Sequence, residues 1–143
     1  MNGIRNLIGN PNKLNVSMKG DDVKALHPSK EGVYILAPDL VNGRRYWIQE
    51  KGKGQGGNAV WCNDKKHWSI GPKENLGTRL IGIYSDILDE EGVGPLEATN
   101  WKWLEKSSGK WIPTSDIIVT QSGKIKVLVF KSLIYYLCNY VPS

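Results

Sequence analysis

Cys62 and His67 stand five residues apart, with Asn63-Asp64-Lys65-Lys66 between them. A thiol and an imidazole brought together across a tight turn would make a nucleophile and its activating base. This pair is the one catalytic arrangement worth testing. The only other histidine, His27, lies 40 positions earlier beside Pro28, and no Ser-His-Asp order or local nucleophile signature occurs. Carboxylates crowd into Ser85–Ala98 (SDILDEEGVGPLEA). They lack the alternating acidic spacing of a Ca²⁺ loop, and crowding alone does not supply the paired carboxyls of glycoside chemistry. Lys51-Gly52-Lys53-Gly54-Gln55-Gly56-Gly57 imitates a phosphate cradle. Such a cradle needs a helix to begin directly after its glycines, whereas Asn58-Ala59-Val60-Trp61-Cys62 reads as a strand. The expectation is therefore a non-enzyme with no catalytic residues, no metal ligands and no cofactor.

The elements that would hold such groups are short. Gly32–Ala37, Arg44–Glu50, Asn58–Cys62 and His67–Ile70 are rich in β-branched and aromatic residues and are bounded by Gly, Pro, Asn and Asp, which predicts consecutive antiparallel strands. Asn42-Gly43 and Asn63–Lys66 supply the positive φ that tight hairpins need. The hairpin at Asn63–Lys66 is expected to set Trp61 and Trp68 near each other. Arg79–Tyr84 reads as the next strand, with Gly82 where a ring or backbone presses close. Trp101–Glu105 alternates, placing Trp101 and Trp103 on one face. Lys110–Pro113 and Asp116–Thr120 follow as a closing hairpin and an edge strand. Asp21–Leu26 has an acidic start and makes one helical turn, stopped by Pro28.

The fold class expected is all-β: a single domain of short antiparallel strands, as a meander, small sandwich or partly open barrel, with an apolar C-terminal tail. Its organisation is a loosely docked arm over 1–29, a β-rich module over 30–120 and an extension over 121–143. At 143 residues the chain is long enough to bury a core without disulfides. The run from Ile125 to Val141 is strongly apolar but interrupted by Lys126 and Lys131, and falls short of the roughly 20 residues of a membrane span. It completes the core or pairs with another copy or a membrane surface. Cys62 and Cys138 have no metal-ligand spacing; they read as two thiols, or as one bridge should the chain be secreted. Residues 1–20 show no signal peptide, so an intracellular location is the default.

Six Trp and six Tyr stand against one Phe, so nearly every aromatic ring carries a polar atom suited to a half-wet surface. Binding candidates are Trp47, Trp61, Trp68, Trp101 and Trp103, with Arg44, Arg45 and Tyr46. A net charge of +5 permits acidic partners without requiring them. The leading reading is a non-catalytic, tryptophan-rich interaction module that binds a protein partner or itself, with a homodimer through 125–141 as one form. The alternatives are a carbohydrate-binding module with Trp stacking on sugars, and single-stranded nucleic-acid binding by Arg44, Arg45, Lys51, Lys53, Lys65 and Lys66 beside aromatic rings.

Several short motifs add a resemblance. Gly32-Val33-Tyr34, Asn42–Tyr46 (NGRRY), Val60-Trp61, His67–Gly71 (HWSIG), Gly82–Ser85 (GIYS), Pro95 and the Trp101-x-Trp103…Lys110-Trp111-Ile112…Ile117-Ile118-Val119 pattern resemble a small Trp/Tyr-rich β module. That module recurs in multidomain animal and protist proteins, often in tandem or beside signalling and repeat domains. The match spans about residues 30 to 120. It implies a non-catalytic binding or scaffold unit, and the apolar tail departs from it.

Overall fold

The computed structural model describes residues 11–51, 57–88 and 94–122. Nine strands form one antiparallel sheet: β1 Lys13–Met18, β2 Gly32–Leu36, β3 Trp47–Gln49, β4 Asn58–Cys62, β5 His67–Pro72, β6 Ile83–Leu88, β7 Trp101–Glu105, β8 Lys110–Thr114 and β9 Ile117–Gln121. Their order is β8-β7-β6-β5-β4-β3-β2-β1-β9, a meander whose last strand returns to the first and nearly closes a barrel. The all-β expectation holds. Among the described residues no helix is long and apolar enough to cross a membrane.

Closure depends on a partner switch. β8 is antiparallel to β7, and β9 is antiparallel to β1. Following the alternation around the barrel, β8 and β9 run in the same sense, with only Ser115-Asp116 between them. Lys110–Gln121 is thus one extended run that pairs with β7 in its first half and with β1 in its second. The Lys19 amide donates to the Asp116 carbonyl (3.0 Å) and the Ser122 amide to the Lys13 carbonyl (3.0 Å), which fixes the register at both ends of the β1–β9 ladder.

Inward residues follow the two-residue period of strands. Leu14, Val16 and Met18 of β1, Tyr34, Trp47, Val60, Cys62, Trp68, Ile70, Ile83, Trp101, Trp103 and Ile117 form the main core. Residues 13–18, read from the sequence as part of a loosely docked arm, are instead a central strand. Its alternation of Leu14, Val16 and Met18 with Lys13, Asn15 and Ser17 is what buries one face. The expected strand at Arg79–Tyr84 is shifted to Ile83–Leu88, because Thr78–Leu80 form a hydrogen-bonded turn. Ser85 and Asp86, expected in an acidic loop, are strand residues.

One end of the barrel is capped by helix α1 (Asp21–Leu26) and the 3₁₀ turn Pro28–Lys30. Val23 enters the core from α1. His27, buried to 3% exposure, donates from Nε2 to the Leu104 carbonyl (3.1 Å) and packs edge-on against Trp103. Gly82 makes room for it, since a Cβ there would lie 3.0 Å from the His27 ring. Burial lowers the His27 imidazole below its ordinary pKa, and the nearby Lys30 and Lys106 ammoniums act in the same direction. Gln49 and Asn58, both buried, bond to each other and to the Ser29 carbonyl, closing the seam beneath the cap.

A second apolar cluster lies outside the sheet. Ala37, Tyr46, Ala59 and Trp61 are covered by Ile48 of β3 and by Val41, Leu76 and Ile81 from the loops after β2 and β5. Strand β4 is therefore buried on both faces.

Candidate functional site

The sheet's period of two decides the fate of the thiol–imidazole pair. Cys62 pairs with Trp68, and both side chains join the inner core. His67, one residue before Trp68, points outward: its Nδ1 donates to the Ser85 carbonyl (2.7 Å) and its ring meets Tyr84. Thiol and imidazole lie on opposite faces of the sheet, so the arrangement expected to be worth testing is not assembled. The same register corrects the expected Trp61–Trp68 pair. Trp61 is opposite Ser69 and belongs to the outer cluster, while Trp68 packs against Trp47 with ring centroids 6.1 Å apart.

All five tryptophans named as binding candidates are buried: Trp47 and Trp61 at 0% exposure, Trp68 and Trp101 at 3%, Trp103 at 4%. Trp101 and Trp103 share one face, as their spacing predicts, and it is the inner one. Trp47 Nε1 donates to the Pro11 carbonyl and Trp61 Nε1 to the Thr78 carbonyl. Trp68 Nε1 is buried and meets no acceptor among the described residues. Tyr46 is buried in the outer cluster with its hydroxyl donating to Asp39. Arg44 sits half-buried in the two-residue turn that it closes with Val41, and Arg45 Nη1 donates to the Pro38 carbonyl (3.3 Å). Trp101 and Trp103 reach the surface only as parts of cavity walls, and the other three are enclosed. They build the scaffold.

The aromatic surface is elsewhere, on residues absent from the candidate set. Register places Tyr84 of β6 opposite Lys102 of β7, Lys102 opposite Pro113 of β8, and Leu104 opposite Trp111. With Trp101 and Trp103 inside, all of these lie outside. Tyr84 and Trp111, both half-buried, meet edge-to-face at 4.7 Å and 82°, and His67 extends the row at 5.2 Å and 85°. Lys102 Nζ reaches Asp86 at 3.1 Å and lies 5.9 Å from the Tyr84 ring centre. The Asp86 hydrogen bond raises the Lys102 pKa. Position parity from Trp103, an inward residue, to Trp111 across the hairpin was the signal that could have singled out this strip.

The strip borders a groove. β9 bonds to β1 through Asp116, Ile118, Thr120 and Ser122, as the two end hydrogen bonds require. The amides and carbonyls of Ile117, Val119 and Gln121 therefore turn to the other edge. That edge has no ladder partner among the described residues. Beside it lies a cavity of about 880 Å³ between β9 and residues 96–102, with Leu96, Ala98, Trp101, Ile117, Ile118 and Val119 among its walls. Asp86, Lys102 and Pro113 line it too and are shared with the aromatic strip. A smaller cavity, about 460 Å³, opens along the second edge of β8 against α1, walled by Asp21, Asp22, Asp116 and Pro113.

The glycine-rich tip at 52–56, Cys138 and the apolar run 125–141 lie outside the described residues. Comparisons with protein-family models, with curated proteins and with solved structures found no match.

Proposed function

We propose that this chain is a non-catalytic interaction module that takes an extended polypeptide segment, from another protein or from a second copy, along the edge of β9. The observation that carries this reading is the groove itself. Three residues turn their backbone donors and acceptors toward a slot walled in part by Leu96, Ala98, Trp101 and Val119, and Asp86, Lys102 and Pro113 connect it to the aromatic strip. An added strand would gain main-chain hydrogen bonds from the edge and selectivity from side chains entering the slot, the usual division of labour in strand addition. The resemblance of residues 30–120 to a β module without reacting groups points the same way.

Peptides selected by display against the intact chain test it. The expected winners alternate β-branched or aromatic residues with polar ones. Their affinity should fall about tenfold or more in Ile118→Lys and in Trp111→Ala, because interface aromatics and buried contacts carry most binding energy. Self-association, if seen by light scattering, should vanish with Ile118→Lys. Selected peptides indifferent to both substitutions would overturn the reading. So would a Trp111 fluorescence shift with oligosaccharide but no peptide, or retention on single-stranded DNA that collapses with salt.

A further inference from the structure

We propose that loops 38–45, 63–66 and 75–80 form a docking face for an anionic lipid bilayer, on a different part of the barrel from the β9 groove. Three ties join these loops into one surface. Asn42 Nδ2 donates both to the Cys62 carbonyl (3.0 Å) and to the Gly77 carbonyl (3.1 Å). Arg79 Nε lies 3.2 Å from Asp64 Oδ1, joining the third loop to the β4–β5 turn. From below, Trp61 Nε1 donates to the Thr78 carbonyl (3.1 Å), and Tyr46 bonds Asp39.

Of the four large apolar side chains on these loops, Val41 and Leu76 fold down onto the outer cluster. Leu40 and Leu80 do not. At 57% and 69% exposure they are the two most exposed large apolar side chains among the described residues. A lone surface leucine means nothing. Two of them, held out on loops whose other apolar residues are packed, sit among cations. The three loops carry Arg44, Arg45, Lys65, Lys66 and Arg79 against Asp39 and Asp64. Asp39 is engaged by Tyr46 and Asp64 by Arg79.

Alkyl groups flanked by Lys and Arg suit the boundary between headgroups and acyl chains. The leucines reach below the phosphates while the cations stay level with them. A nucleic acid would need ring faces to stack on; Tyr46 and Trp61 are buried, and His67, half-buried beside Lys66, is held edge-to-face against Tyr84. An acidic polypeptide would meet the charge but has no particular use for two isolated leucines.

Co-sedimentation of the full chain with vesicles of phosphatidylcholine, with and without phosphatidylserine, tests the proposal. The expected result is binding to the anionic vesicles alone. Lys65→Glu with Lys66→Glu should reduce it by about twenty-fivefold or more, given roughly 1 kcal/mol for each cation at such a surface. Leu40→Ser with Leu80→Ser should reduce it by about tenfold. All four side chains are exposed, so an unchanged thermal unfolding midpoint will verify that the variants are folded. Equal binding to neutral and anionic vesicles overturns the proposal. So does vesicle binding that survives the leucine substitutions, which assigns it to another segment. Polyglutamate that displaces the chain from vesicles equally well with or without the leucines makes the surface a protein site instead.

Discussion

Strands β8 and β9 are two halves of one extended run, and among the described residues each leaves an edge outside the ladders, yet the two edges are built differently. β8 reads Lys-Trp-Ile-Pro-Thr, and β9 reads Ile-Ile-Val-Thr-Gln. Pro113 has no amide to offer a newcomer, and Lys110 is costly to bury; both are common ways of blunting an edge. The groove beside β8 is walled by Asp21, Asp22 and Asp116 and bounded by the α1 cap. β9 has no proline and no charge, and its groove is mostly apolar. Edges of that second kind are normally covered, because they template pairing. The difference teaches where to look for a partner: at β9, not at β8.

Four experiments would break or sharpen that contrast. The largest effect belongs to the core beneath the second half. Ile117 is 4% exposed and Ile112 only partly buried, so Ile117→Ala should cost about 2–5 kcal/mol in urea unfolding and Ile112→Ala distinctly less. Equal losses would mean that the two halves are anchored alike.

Acid should act on the β8 side next, through His27 in the cap. Its pKa is lowered in the folded chain, by burial first and then by Lys30 and Lys106. Above the ordinary histidine value both states are neutral and pH has no effect through this group. As pH falls below about 6.5 the unfolded chain takes the proton first, so stability drops until the folded imidazole titrates as well. A His27→Gln variant should flatten that decline in thermal unfolding measured across pH. A decline of the same size in the variant would assign it to other groups.

Trp111→Ala comes third. The ring is half-buried on the outer face, and its loss should cost about 1 kcal/mol, against about 3–5 kcal/mol for Trp103→Ala on the inner face of the neighbouring strand β7. Denaturant midpoints of the two variants, at unchanged m-value, measure it. The smallest change in stability is expected from Pro113→Val, within about 1 kcal/mol of the parent. Its informative readout is association. Restoring an amide and a β-former to the β8 edge should raise the oligomer fraction in light scattering. No rise would show that the cap, and not the proline, protects that edge.

Much of this fold can be read from residue patterns, for physical reasons that also explain the failures. Gly32–Leu36, Asn58–Cys62 and His67–Pro72 are bounded by turn formers, and the hairpins at Asn42-Gly43 and Asn63–Lys66 adopt the positive φ that their residues allow, at Asn42, Gly43 and Lys66. β1 was hidden because its clean alternation of Leu14, Val16 and Met18 with polar residues is only six residues long and sits in a stretch rich in Asn, Gly and Lys. The tryptophans misled for a different reason. Alternation assigns Trp101 and Trp103 to one face but cannot say whether that face is wet. Only the closing of the sheet does that: it turns four indoles inward, leaves Trp61 under the outer loops, and leaves Trp111 with Tyr84 outside. The Cys62–His67 pairing failed on register: a three-residue turn sets Asn63 opposite His67 and Cys62 opposite Trp68, so thiol and imidazole fall on opposite sides.

The β1–β9 ladder has a consequence for how the chain is made. Leu14 pairs with Gln121, 107 positions later (121 minus 14). A strand that far from its partner forms late, because a long loop must close before any contact rewards it. During synthesis at about 5–20 residues per second, the outer edge of β1 waits for several seconds before β9 leaves the ribosome. A nascent chain halted just before Ile117 would hold eight strands and an unsealed first one. Chaperones that recognise extended apolar segments would find their substrate there.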